Sequence, residues 1–281
     1  MKSTMRKGSG ILTKILKWAF LLATLLIALF PLVWLVINSF RTNYEYEIAP
    51  LGLPSKLSFE NYKNAIALTN LPRLFLNSVL VALGSVALNL IVASLACFVL
   101  SREKFKGRDL ISTIVTAGVL IPVISFMVPY FIMITRLGLY DHLVTLILIY
   151  AAVNLPVSVS LITSFMKAIP KELEEAAIID GCSFNQRFIK IIFPLTQSGL
   201  ATAGTFCFIY AWNDFLMAML FTSSEASRTI QLGIRFFTSQ FITDYTGMFA
   251  ALVLTMLPSI IAYVFLHDKI ISGMTTGAVK G

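Results

Sequence analysis

Charge is scarce in this chain of 281 residues: Asp, Glu, Lys and Arg together make up 13% of it, against about 25% in soluble globular domains. That scarcity excludes an ordinary water-soluble globule. Histidine is limited to His142 and His267, and no nucleophile stands in a recognisable arrangement with either, which argues against an intramembrane hydrolase. Cys97, Cys182 and Cys207 are the only cysteines, and their spacing gives neither a disulfide framework nor a metal knot. The pattern G-x-x-x-x-G-K-[ST] is absent, so the chain has no phosphate-cradling loop of that kind.

Apolar residues fill the space left by charge, at 57% of the chain. They fall into six blocks, about Trp18–Ile37, Leu74–Leu100, Leu110–Thr135, Leu143–Met166, Leu200–Phe221 and Met248–Leu266. Each is close to the roughly 20 residues that a bilayer core demands. The expectation is an all-α membrane protein with six transmembrane helices. Lys2, Arg6, Lys7, Lys14 and Lys17 before the first block resemble the start of a signal peptide. That block is long for a signal sequence, however, and Asn38, Ser39, Phe40 and Arg41 follow it in place of a small-residue cleavage site, so an uncleaved anchor is expected.

The net charge of +8 reads as topology once it is mapped onto these blocks. With the amino end inside, inner segments hold fifteen of the lysines and arginines and outer segments seven. The positive-inside rule therefore places both termini in the cytoplasm, and a nucleic-acid partner is not expected. Between the first two blocks, Arg41–Arg73 carries Pro50, Gly52, Pro54 and Pro72 and reads as a loop with a short helix near Phe59–Ile66. Pro122, Pro129 and Pro156 interrupt the third and fourth blocks, as kinks beside a cavity or as kinks that only aid packing.

The most patterned polar stretch is Lys171–Pro194, KELEEAAIIDGCSFNQRFIKIIFP. Lys171–Asp180 lacks Pro and Gly and favours a short amphipathic helix; Gly181 suits a stop, Ser183 a new cap, and Pro194 an end. Phe184, Phe188 and Ile191/Ile192 recur at helical spacing in the second piece. Two short helices at an angle are expected, with a small-residue patch at Ala176 and Ala177 open to close approach. The alternative for such a helix pair is an amphipathic surface helix that merely lies in the lipid headgroups.

Glu175-Ala176-Ala177, Asp180-Gly181, then Phe188, Ile191 and Pro194 resemble the EAA signature of permease subunits in binding-protein-dependent ABC importers. The ending GMTTGAVKG, Gly273–Gly281, is similar to the G-L-T-x-G-A-V-K-G tail of the carbohydrate-importing, maltose-type group, with Met274 in place of Leu. The resemblance implies a type I importer (MetI-like) fold and a sugar or oligosaccharide permease without catalysis of its own. Its partners would be a second permease subunit, a pair of identical ATPase subunits that hold ATP and Mg, and an extracytoplasmic solute-binding protein. The chain then divides into a cytoplasmic tail 1–17, a first span and outer loop 18–71, a permease core 72–268 containing the coupling loop 171–194, and a cytoplasmic tail 269–281.

By the same resemblance the coupling loop docks on the ATPase, Glu175 pairs with a basic residue there, and Gly277, Ala278, Val279 and Lys280 reach between the ATPase subunits. Trp212-Asn213-Asp214 is the only ionisable cluster deep in an apolar block and should face inward. Tyr210 and Trp212 could stack on a sugar ring while Asn213 and Asp214 meet hydroxyls; an interhelical hydrogen bond would need the same residues. Asn154, beside Pro156, belongs to the same candidate path. The outer segment Thr222–Gly247, with Phe236, Phe237 and Phe241, is either a binding-protein contact or an aromatic interface anchor. Other solutes, namely an amino acid, a peptide or a polyol phosphate, remain open, as does a secondary transporter, for which only Asp214 offers a carboxylate near the bilayer centre.

Overall fold

A computed structural model describes residues 4–68, 70–233 and 244–278. Among them there is no strand. The helices are α1 (Thr4–Asn38), α2 (Asn43–Ile48), α3 (Glu60–Leu68), α4 (Leu71–Arg102), α5 (Arg108–Ala117), α6 (Met127–Arg136), α7 (Leu143–Ala168), α8 (Glu172–Ile179), α9 (Phe184–Arg187), α10 (Phe193–Leu195), α11 (Gln197–Asn213), α12 (Leu216–Phe221), α13 (Ile230–Gly233) and α14 (Tyr245–Ala278). Contacts divide the chain into two units, residues 1–69 with 234–254, and residues 70–233 with 255–281.

In the first unit, α1 holds no acidic residue in its first turn and carries Pro31 within an apolar run. Ile15, Trp18, Phe20, Leu25 and Phe30 stand exposed along it, which suits a helix whose solvent is lipid. At its end the polar residues turn inward. Arg41 is buried and donates to Asn38 Oδ1 (2.8 Å), Ala49 O (2.8 Å) and Glu45 O (2.5 Å), while Asn61 of α3 donates to Ser39 O and Arg41 O. Thr42 and Glu45 form a capping box that starts α2, a helix that the pattern of residues did not announce. The short helix expected near Phe59–Ile66 is α3. Trp34 donates to Pro50 O (2.9 Å) and meets Tyr46 and Phe249 edge-on.

The second unit is built on α4, α7 and α11. Small buried side chains at Ala82, Ser85, Asn89, Ala93 and Cys97 run down one face of α4, and such a stripe lets helices approach closely where lipid supplies no hydrophobic drive. Asn89 donates across to Ala151 O of α7 (2.8 Å). Gly199 of α11 lies against Phe165, so close that a Cβ there would come within 2.7 Å of its ring.

Two expected single spans are broken. The block Leu110–Thr135 is a pair of helical pieces bent by 102°, because Pro122 takes an extended conformation and has no N–H to carry the ladder through. The block Leu200–Phe221 stops at Asn213; Asp214 is extended, and α12 restarts after it. Pro194 stands one residue before the end of the helical piece 184–195, where a helix end was expected. The bend falls later, and the 184–195 and 197–213 helical pieces meet at 74°. The last helix runs unbroken past the expected end of its block at Leu266 to Ala278. Among the described residues, four helices can by length and composition cross a membrane, or up to six if each bent pair counts as one crossing.

Candidate functional site

The stretch 171–194 folds as the residues suggest, and for local reasons. Helix α8 has no breaker, and it closes in a paired C-cap: Gly181 N–H donates to Ile178 O (3.0 Å) and Cys182 N–H to Ala177 O (2.9 Å). That geometry requires positive φ at the residue after the cap, and Gly181 sits at +82°. Ser183 then caps α9 through a box in which Gln186 N–H donates to Ser183 Oγ and Ser183 N–H to Gln186 Oε1 (2.8 Å). A π-turn, Phe188–Ile192, leads into α10.

The faces of the two helices are sorted. Glu175, Ala176, Asp180 and Gly181 are exposed, whereas Ala177 is buried; of the expected alanine patch only Ala176 is open. Phe188 and Ile191 pack half-buried on a cluster that includes Phe98, Met166 and Ile192, and Phe98 lies 5.0 Å from Phe184 and 5.2 Å from Phe188 between ring centres. Pro194 is exposed.

Sequence reasoning overlooked the charges that hold this loop. Glu174, one residue before the alanine motif, is 6% exposed and pairs with Arg102 at the end of α4 (3.1 Å) and with Arg187 at the end of α9 (3.5 Å). Arg187 also pairs with Glu103 (3.0 Å) and lies over the rings of Phe98 and Phe184. The Leu-Glu-Glu-Ala-Ala run alone carried no signal of which glutamate turns inward.

In the candidate solute path, Trp212 is fully buried, stacked on Phe208 (5.8 Å) and donating to Thr255 O (3.0 Å). Asp214 accepts hydrogen bonds from Tyr150 Oη (2.7 Å) and from the N–H groups of Met217 and Ala218, which makes it both the interhelical bond and the cap of α12. Tyr210 meets Tyr150 edge-on at 5.9 Å. Asn154 is buried and donates to Tyr150 O. Asn213 is exposed and donates to Ile209 O (2.9 Å). The structure thus gathers Asn154, Tyr210 and Asp214 around Tyr150, leaves Asn213 open and consumes Trp212 in packing.

The start of the segment Thr222–Gly247 is clamped by Asp141, which accepts from the N–H groups of Ser223 (2.8 Å) and Ser224 (3.1 Å) and from Ser227 Oγ. Burial works to raise its pKa, but these donors prevail and hold the carboxyl well below the usual aspartate range. Phe236, Phe237 and Phe241 lie outside the described residues, as do Val279 and Lys280; Gly277 and Ala278 complete the last turn of α14.

Residues 85–276 match the family described as binding-protein-dependent transport system inner membrane component. The chain is 35% identical over 265 residues to the sulfoquinovosyl glycerol transport system permease protein SmoH of Agrobacterium fabrum, covering 93% of each chain. It is 31% identical over 264 residues to the diacetylchitobiose uptake system permease protein NgcG of Streptomyces coelicolor, covering 93% of this chain and 87% of that one. Among solved structures, a chain of a bacterial ABC transporter involved in the import of the acidic polysaccharide alginate superposes with a TM-score of 0.80 at 22% identity, over 95% of this chain and 98% of that one. That last likeness is one of fold.

Proposed function

Because this chain belongs to the family of binding-protein-dependent transport system inner membrane components, we propose that it is one of two permease subunits of an ATP-driven importer whose solute is a sugar or oligosaccharide. The solute class is carried over from relatives named for sulfoquinovosyl glycerol and diacetylchitobiose, and the maltose-type tail at Gly273–Gly281 agrees with it. Both bent helix pairs are taken as crossings, which gives six spans with the two termini and the 171–194 loop in the cytoplasm.

The observation that carries the coupling role is the build of that loop: a stiff, doubly capped, bent handle that shows Glu175 and Ala176 outward while Glu174 and Ala177 root it. ATP and Mg belong to partner ATPase subunits, which supply the hydrolysis. What this chain contributes is a grip and a pore. The ATPase docks on α8, with Glu175 meeting a basic side chain and Gly181 setting the bend, and Gly277–Lys280 reach between the two ATPase subunits. Movement of the loop then exchanges inward-open and outward-open arrangements. Such coupling can be no larger than the difference in loop contacts between the two states. On the outer side, the solute-loaded binding protein meets the segment after Thr222, and solute passes Tyr210 and Asn213.

The test is purification with associated subunits, followed by ATPase assays across a panel of sugars. The expected outcome is co-purification of an ATPase that one sugar class stimulates through its binding protein. Glu175→Lys and Gly181→Pro should leave the chain in the membrane but separate hydrolysis from uptake; normal uptake with unchanged stimulation in both would remove the coupling assignment.

A further inference from the structure

Resting on the reading of 171–194 as the loop that an ATPase moves, we infer that Arg102, Glu103, Glu174 and Arg187 fasten this loop to the ends of α4 and α7, so that its displacement passes into those two helices through space and not only along the chain into α11. Their side chains meet where the ends of α4 and α7 reach the loop. Arg102 closes α4, is 3% exposed, and pairs with Glu174 of α8. The same guanidinium donates to Met166 O, which also accepts the Ile169 N–H, and to Ile169 O (3.0 Å), at the end of α7. Arg187 joins Glu174 to Glu103.

Two positive and two negative groups balance, which is what allows Glu174 and Arg102 to be buried as ions. An apolar patch of the same volume would often hold the loop as firmly, since desolvation offsets much of the attraction in such pairs. What ions add is specificity: a guanidinium that donates to two carbonyls at the end of α7 and holds the Glu174 carboxylate as an ion pair 3.1 Å from its Nε ties α8 to both helix ends. The covalent route onward is the softer one by comparison, through the π-turn Phe188–Ile192 and the 74° bend before α11. These are positioning residues, and Glu175 and Ala176 stay free for the partner.

The experiment uses the full transporter with its ATPase in lipid nanodiscs, with spin labels at Lys106, just past α4, and Asn185 in α9, both exposed. The native pair should give one narrow distance that is the same with and without ATP. In Glu174→Gln the distribution should broaden, and solute moved per ATP should fall about fivefold or more with assembled yield unchanged. Should Glu174→Gln fail to assemble, Glu103→Gln, at the half-exposed edge of the cluster, carries the same two readouts. A narrow distance with native stoichiometry in the assembled variants overturns the inference. If Glu175→Lys transports normally while Glu174→Gln still broadens the distance, the fastening stands and the ATPase-docking reading falls.

Discussion

Gly181 and Glu45 show how much a single residue decides here. At φ +82° with nothing within 4 Å of a Cβ placed on it, Gly181 faces no steric neighbour, so the cost of Gly181→Ala is the backbone strain of a left-handed L-residue, about 1–2 kcal/mol. Thermal unfolding in detergent should show that loss for alanine and a smaller one for asparagine, which tolerates the region better. Glu45 is held at a pKa of about 2, against an ordinary 4.5, chiefly by the Ser55 hydroxyl and then by the Thr42 N–H. A depressed carboxylate stabilises the fold above its unfolded value; the contribution of Glu45 is therefore whole at neutral pH, declines below about pH 4.5 and is gone once the pH has fallen through about 2. Carboxyl carbon shifts should locate that titration, and Ser55→Ala should move it up toward the ordinary value. Gly181 and Ser183 were legible in the sequence because caps are local. The burial of Glu174 was not, since which face of a two-turn helix turns inward depends on Arg102, some seventy positions away.

Among the elements, the blocks of apolar residues marked where helices run, and Pro122 marked one interruption, but the break at Asp214 went unmarked. Hydropathy averages over a window, and one Asp among twenty apolar neighbours barely lowers it. Asp214 nevertheless ends one helix and starts another by accepting two N–H groups and the Tyr150 hydroxyl on a single carboxylate oxygen. The sequence posed a choice for this residue between solute and interhelical bonding, and the geometry commits its Oδ2 to the second. Tyr150→Phe removes one hydrogen bond to a carboxylate and should cost about 1.5–3 kcal/mol. Asp214→Leu removes all three and leaves the start of α12 uncapped, so it should lower the melting temperature distinctly further. Equal losses in the two variants, measured by thermal unfolding of the purified chain, would show that the cap of α12 contributes nothing. Pro122 and Pro194 both stand at breaks: each lacks an N–H, Pro122 is extended between the two pieces of the 102° pair, and Pro194 comes one residue before the helical piece 184–195 ends.

For the molecule as a whole, the open structural question is how often the chain crosses the bilayer, and the loop's side of the membrane answers it. Between the amino end and Lys171 stand α1, α4, the bent pair built on α5 and α6, and α7. If the bent pair crosses, four passages place the amino end and the loop on one side; if it dips in and returns, three passages place them on opposite sides. Charge favours the first arrangement, since the fifteen basic residues assigned to the inner side would otherwise be divided across the membrane. A native reporter is at hand: Cys97 and Cys207 are buried, while Cys182 in the loop is partly exposed. In sealed vesicles of known orientation, a membrane-impermeant maleimide should modify Cys182 only from the cytoplasmic face, and Cys182→Ser should abolish the signal. A cysteine introduced as Ser3→Cys in that background should then label from the same face. Labelling of the two positions from opposite faces would make the 102° pair a re-entrant hairpin, and labelling of Cys182 from the outer face would put the loop beyond the reach of any cytoplasmic ATPase.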